Sequence, residues 1–292
     1  MTTTVGFSSA AQCIDVLEGL QSLASGSVAC TVTSPPYNIG IKYSTHQDRR
    51  SDYLPWIEEV CKKIRRVTKD DGHFFLQVGD TSVDPLISNR VLGCALSTGW
   101  MLQNKIVWAK NISIGDDSHG HFKPINSPRF LNQTHEYIFH LTKAGDLPID
   151  RLAIGVSFVD KANIRRFDHQ HDVRCRGNTW FIPYETVQST GGKYHHPAIF
   201  PVLLPEMCIR LSGIATGSLV LDPFVGSGST LVACERLGML GVGFDIDAVY
   251  VETANRRIAA ERQKLAQDSA VGLATAGQNN NAVQVTPKVV DP

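Results

Sequence analysis

Charge of one sign does not dominate this 292-residue sequence: Lys and Arg number 28, and so do Asp and Glu. A uniformly basic, polyanion-coating surface is therefore excluded, and any contact with nucleic acid must use positive charge gathered locally. Paired cysteines are missing too. Cys13, Cys30, Cys61, Cys94, Cys175, Cys208 and Cys234 stand singly, with no C-x-x-C among them. That odd, scattered set argues against a disulfide framework and for a reducing, cytoplasmic setting. No apolar run reaches the roughly 20 residues of a membrane-spanning helix. The start, Met1-Thr2-Thr3-Thr4-Val5, lacks the basic-then-apolar pattern of a secretion signal. A soluble intracellular chain with no membrane partner is expected. Internal repeats are absent. His169-Gln-His171-Asp-Val-Arg-Cys175 has no clearly spaced fourth ligand, so no metal is expected.

What is present is an alternation of short apolar runs and amphipathic segments. Val28–Thr33 is β-branched and apolar and stops at Pro35-Pro36. Leu54, Ile57, Val60, Cys61 and Ile64 recur at helical spacing, predicting a helix over 53–67. Strands are expected at 73–78, 104–108, 136–141, 218–222 and 241–245, with helices near 85–98, 201–212, 230–237 and 249–265. Asp70-Asp71-Gly72 reads as a turn, 111–131 as a polar loop, and 145–178 as an irregular, charge-rich insert. The stretch after Gln267 has no periodicity and is expected to be a disordered tail, 267–292, behind one catalytic domain, 1–266. Such alternation predicts a doubly wound, mostly parallel α/β sheet. Ligands of such sheets bind beyond the carboxyl ends of the strands. The loops after Thr33, Val78 and Asp222 lie at such ends.

Two of these loops have chemistry written into them. Asp222-Pro-Phe224-Val-Gly226-Ser-Gly228-Ser-Thr230 is strand, glycine turn and helix start. Glycine allows close backbone approach, and the helix start offers unpaired N–H groups to an anion. No Lys precedes Ser229-Thr230, which excludes a Walker loop, and Leu231 replaces the third glycine of a dinucleotide fingerprint. Asp245 follows where a ribose-binding carboxylate belongs. The set suits a nucleoside without phosphates that carries an amino-acid end, such as S-adenosylmethionine. A bare glycine turn closing a βαβ unit is the alternative. In the second loop, Ser34-Pro35-Pro36-Tyr37, the prolines stiffen the chain and leave carbonyls free. The Ser34 hydroxyl and Pro35 carbonyl are candidate acceptors for an amine, and Tyr37 a face for an extruded base. The alternative is a rigid turn with a packing tyrosine.

Together, Thr33–Tyr37, Trp180-Phe-Ile-Pro183, His196-Pro-Ala-Ile-Phe200-Pro201, Asp222–Thr230 and Gly243-Phe-Asp245-Ile-Asp247 resemble the β-class amino-methyltransferases of DNA found in restriction–modification systems. Gln77-Val-Gly79-Asp80 and Thr134-His-Glu136-Tyr137 match more weakly. The resemblance spans about 10–260, with the catalytic loop first and the cofactor loop last, an order characteristic of that class. It implies a seven-stranded Rossmann-like sheet with a small target-recognition insert, and S-adenosylmethionine as cofactor. Phe224, Gly226 and Gly228 would line its methionine part, with Asp222 in the same motif. Asp245 would hold the ribose, and His196 and Phe200 would pack at the methionine end. Ala11-Gln12-Cys13 departs from the usual Gly-Asp-Cys, leaving Gln12 as a substitute adenine contact. Ser34, Pro35, Pro36 and Tyr37 would hold the target base. A Ser before Pro-Pro-Tyr usually accompanies cytosine N4 methylation, whereas Asp or Asn accompanies adenine N6. Cytosine C5 chemistry needs a cysteine nucleophile, usually after a proline, and no Pro-Cys pair occurs.

Arg165, Arg166, Arg174 and Arg176 cluster in the insert and are candidate phosphate contacts, with the 111–131 loop as a second recognition element. A solvated basic loop is the alternative. The expected partners are double-stranded DNA of the nucleoid and a cognate restriction endonuclease, with the chain a monomer or homodimer. Adenine N6 methylation, methylation of RNA or a protein amide, and a non-catalytic DNA-binding module are the competing readings.

Overall fold

The computed structural model describes residues 9–38, 40, 49–120, 127–166, 171–183 and 200–279, with backbone alone for 271–279. In chain order the elements are β1 (Ala10–Cys13), α1 (Val16–Ser22), β2 (Val28–Thr33), α2 (Tyr53–Val67), β3 (Thr68–Val78), α3 (Ile87–Ser97), β4 (Met101–Ala109), β5 (Asn111–Ile114), β6 (Asp117–Gly120), β7 (His135–Thr142), α4 (Ala162–Arg166), β8 (Thr179–Phe181), α5 (Leu203–Ser212), β9 (Leu219–Asp222), α6 (Ser229–Leu237), β10 (Leu240–Asp245) and α7 (Ala248–Asn279).

Eight strands form one sheet in the order β1-β10-β9-β2-β3-β7-β4-β8. Among the described strands of this sheet, only β7 runs against its neighbours. Every residue of β2 is buried, as a central strand covered on both faces must be. Period-two alternation sorts the side chains. Phe74, Leu76 and Phe139 pack with α1, α2 and α3 on one face, joined by Val28, which an irregularity between Val28 and Cys30 turns to that side. Cys30, Val32, Phe75, Ile138 and Trp108 pack with α5, α6 and α7 on the other. Helix α2 buries Ile57, Val60, Cys61 and Ile64, the stripe its periodicity predicts. Among the described residues, no helix is long and apolar enough to cross a membrane.

The sheet corrects the sequence-based expectation of seven strands. The eighth strand is β8, three residues long, pairing Trp180 with Trp108 at the far edge. Such a short strand carries no periodicity and exists only because β4 offers it an edge. Two further differences are local. Residues 111–120, expected as loop, form the β5–β6 hairpin. Gly120 adopts φ +87, and a Cβ there would meet the Lys110 carbonyl at 2.5 Å, so the hairpin closes only with glycine. The last helix runs to Asn279 rather than ending near Leu265. Its extension through 267–279 continues the backbone of α7 without an apolar stripe that the sequence could have signalled. Residues 280–292 lie outside the described residues.

Two helical glycines make the packing testable. A Cβ on Gly19 of α1 would meet the buried Phe244 ring at 2.6 Å, whereas one on Gly93 of α3 meets nothing within 4 Å. Alanine gains up to about 1 kcal/mol in a helix, but overpacking costs about 1–3 kcal/mol. Thermal melts should therefore show Gly19→Ala lowering Tm and Gly93→Ala leaving it unchanged or raising it.

Candidate active site

Because β2, β3, β4, β9 and β10 are parallel, their carboxyl ends share one edge of the sheet, where antiparallel β7 begins. That edge brings the Ser34–Tyr37 loop beside the Asp222–Gly228 loop. The junction is a buried carboxylate. Asp222 Oδ1 accepts the Thr33 hydroxyl at 2.6 Å and the Phe224 N–H at 3.1 Å, and Oδ2 accepts the Thr230 hydroxyl at 2.6 Å. Burial pushes the Asp222 carboxyl up to about 6, against the opposing hydrogen bonds from Thr230 and Thr33. Its motif groups Asp222 with the cofactor contacts, and in the fold its side chain braces the two loops.

The Ser34–Tyr37 loop is held from outside as well. Tyr53 of α2 donates to the Pro36 carbonyl at 2.6 Å. Asn38, in the left-handed region at φ 59, accepts the Arg50 N–H at 2.7 Å and donates to its carbonyl at 3.2 Å. Beneath the loop lies a polar chain. Ser34 Oγ meets Tyr37 Oη at 3.3 Å, and Tyr37 Oη donates to Glu136 Oε2 at 3.0 Å. Gln77 Nε2 donates to Tyr37 Oη at 2.8 Å and to Glu136 Oε2. Lys110 Nζ pairs with Glu136 Oε1 at 2.7 Å, and both side chains are mostly buried. Gly79 makes room: a Cβ there would strike Glu136 Cγ at 2.6 Å. The segments holding Gln77 and Glu136 stood out in the sequence without a role, and Lys110 carried no signal.

On the glycine side, Gly226 and Gly228 adopt φ 47 and φ 86 before α6. Asp245, half-buried at the end of β10, accepts the Gly226 N–H at 3.2 Å and the Asp247 N–H at 2.8 Å. Arg257 of α7 braces the turn through the Ser227 carbonyl at 2.6 Å and its hydroxyl at 3.0 Å. Phe224 packs edge-on to Trp56, centroids 5.5 Å apart, and Arg50 lies over Trp56 at 4.7 Å. In the sequence Trp56 reads as one more residue of α2, with no signal of its own. Gln12 is exposed at the end of β1, in register with Phe244, and Phe200 is half-buried against the core. His196 lies outside the described residues. A carboxylate at a strand end, a glycine turn and a helix start fit a nucleoside with an amino-acid end.

The insert is a small lobe rather than a loose loop. Val156 and Arg174 exchange backbone hydrogen bonds, and Ile154 and Phe158 are buried. Arg165, Arg166 and Arg174 are exposed, whereas Arg176 is half-buried and donates to the Ile154 carbonyl at 2.9 Å. The lobe leaves β7 at the opposite edge of the sheet and returns through β8 beside Val107. The β5–β6 hairpin instead springs from the active edge, directly after Lys110.

The brace predicts a pH signature. The folded chain holds the Asp222 proton more tightly than the unfolded chain. Its stabilising contribution is therefore full below about pH 4 and lost as pH rises through about 6. Urea unfolding of wild type and Asp222→Asn should show the difference moving in the variant's favour by up to about 3 kcal/mol between about pH 4 and pH 7.

A family model for DNA methylases of the N6/N4 type matches residues 28–256. The Type II methyltransferase M.ScaI of Streptomyces caespitosus is 30% identical over 260 residues, covering 86% of this chain and 81% of the relative. Among solved structures, PvuII DNA methyltransferase (cytosine-N4-specific) superposes with a TM-score of 0.64 at 21% identity, over 86% of both chains. TTHA0409 of Thermus thermophilus, complexed with S-adenosyl-L-methionine, gives 0.60 at 24% identity, over 87% of this chain and 94% of that one. These two likenesses carry the Rossmann-like methyltransferase fold. With the model spanning both loops and the strands between them, the chain belongs to the N6/N4 DNA methylase family.

Proposed function

We propose that this methylase transfers a methyl group from S-adenosylmethionine to the exocyclic N4 amine of cytosine in duplex DNA. The observation that carries the reading is Ser34, an uncharged acceptor on a proline-stiffened loop that Asp222 clamps against the glycine turn. S-adenosylmethionine, when bound, supplies a methyl group on a positively charged sulfur. Asp245 would hold its ribose hydroxyls, and Phe224, Gly226 and Gly228 its methionine part, with Gln12, Phe200 and His196 as further contacts. The target amine is a weak nucleophile because its lone pair is delocalised into the ring. Ser34 Oγ and the Pro35 carbonyl would accept its two N–H groups, aim the nitrogen and stabilise the positive charge that grows on it. Tyr37 would pack against the extruded base, and Pro36 keeps the loop from relaxing into helix. The PvuII relative is cytosine-N4-specific by its own name, which supports the choice of base.

The exposed Arg165, Arg166 and Arg174 would contact phosphates, and Arg176 would hold the lobe in shape. A restriction–modification setting with a partner endonuclease agrees with the Type II relatives. Modified DNA should yield N4-methylcytosine on digestion and mass analysis; N6-methyladenine alone would overturn the choice of base. Ser34→Ala should lower kcat by about 10²–10³-fold, the usual effect of losing one oriented hydrogen-bonding group. Arg165→Ala with Arg166→Ala should weaken DNA binding and reduce the slope of log K against log salt by about 1 for each phosphate no longer neutralised.

A further inference from the structure

We infer that the Lys110–Glu136 ion pair is a positioning device that fixes the direction of the Ser34 hydroxyl, so that Ser34 Oγ always presents lone pairs to the target amine. The inference rests on the reading of Ser34 as the amine's acceptor and adds what makes it one. A serine hydroxyl is both donor and acceptor. A hydroxyl that turned its proton toward the base would meet an N–H with an O–H, and the amine would lose its acceptor.

The direction of every hydrogen bond in the chain follows from its two ends. Lys110 can only donate, so Glu136 Oε1 is occupied by the ammonium at 2.7 Å. The second oxygen, Oε2, faces Gln77 Nε2 and Tyr37 Oη. A carboxylate only accepts, so the Gln77 amide must turn its NH2 group inward and Tyr37 must spend its single proton on Glu136. Tyr37 Oη then has only lone pairs left. One accepts from Gln77 at 2.8 Å and the other from Ser34 at 3.3 Å. Ser34 thus commits its proton downward, and its remaining capacity faces the base. Glu136 touches no substrate in this arrangement and acts through Tyr37. The pair stands on the first residue after β4 and near the start of β7, neighbours in the sheet, so the backbone itself holds the two ends together.

Glu136→Gln is the near-isosteric test. Lys110 would keep the amide oxygen, leaving the new NH2 group to face Tyr37 and the Gln77 amide, which would turn its oxygen inward to accept it. Tyr37 Oη would then accept from that NH2 group and no longer face a carboxylate that claims its proton, so the proton can turn toward Ser34 and the hydroxyl is no longer held with its own proton away from the base. The expected result in methylation of duplex DNA is a fall in kcat of at least tenfold, with KM for S-adenosylmethionine and DNA affinity within twofold of wild type. Tyr37→Phe cuts the chain between the two residues, so Glu136→Gln should cost less than threefold further in that background. An equal loss in both backgrounds, or a Glu136→Gln enzyme within twofold of wild-type kcat, overturns the inference. Glu136→Met, which removes the acceptor for the Tyr37 proton, assayed alone and with Tyr37→Phe, decides by the same thresholds should Glu136→Gln fail to fold by thermal melt. Ser34→Ala separates the two claims. If it keeps wild-type kcat, the acceptor reading itself fails. If it loses activity while Glu136→Gln and Glu136→Met do not, only the positioning inference fails.

Discussion

A single buried carboxylate joins the two halves of this site. Thr33 and Asp222 are 189 residues apart, yet their side chains meet at 2.6 Å, and Thr230 closes the other oxygen at the same distance. Taking a carboxylate out of water is unfavourable by itself, and burial raises its proton affinity accordingly. Two hydroxyls and one backbone N–H offset part of that cost. What is gained is registration. The end of β2 and the start of α6 cannot slide past each other without breaking a buried hydrogen bond, which costs far more than an exposed one. The loop proposed to hold the methyl acceptor and the loop proposed to hold the methyl donor therefore keep a constant separation.

Around that brace the polar groups are arranged by direction rather than by strength. A methyl transfer to a base amine needs no activated nucleophile on the enzyme and no strong base. It needs acceptors in the right place, facing the right way. As the proposed acceptor, Ser34 is weaker than the carboxylate of an Asp in its position would be, so its orientation matters more. The ion pair of Lys110 and Glu136 sits one layer below, where it can bias hydroxyl directions without placing a formal charge against the base. Mostly buried ion pairs are poor sources of net stability, and a role in orientation is a reason for one to be here.

The strong periodic signals were legible in the sequence. Helix α2 was expected over 53–67 and runs over those residues, because a stripe of Ile57, Val60, Cys61 and Ile64 suits no other conformation. Strand β2 could be bounded at both ends because Val28–Thr33 is apolar and β-branched and two prolines follow at 35 and 36. Strand β8 and the β5–β6 hairpin were not legible. Thr179–Phe181 has too few residues for a pattern, and Asn111–Gly120 has a polar composition that hides its pairing. Arg176 reads like its neighbours in sequence. Only the fold shows that its guanidinium serves the Ile154 carbonyl rather than facing outward with Arg174.

The sequence alone therefore determined the types of group available: a stiff Ser-Pro-Pro-Tyr loop, a glycine turn without a phosphate lysine, and an acidic strand end. These are local properties, set by backbone conformations that proline and glycine impose within a few residues. The tertiary structure decided which groups face one another. Asp222 turned out to be a brace, and Gln77, Lys110 and Glu136 gathered under Tyr37, because a parallel sheet with one reversed strand delivers distant segments to a common edge. No local propensity encodes that meeting, since hydrogen-bond partners across a sheet are chosen by register and burial, not by neighbours in sequence.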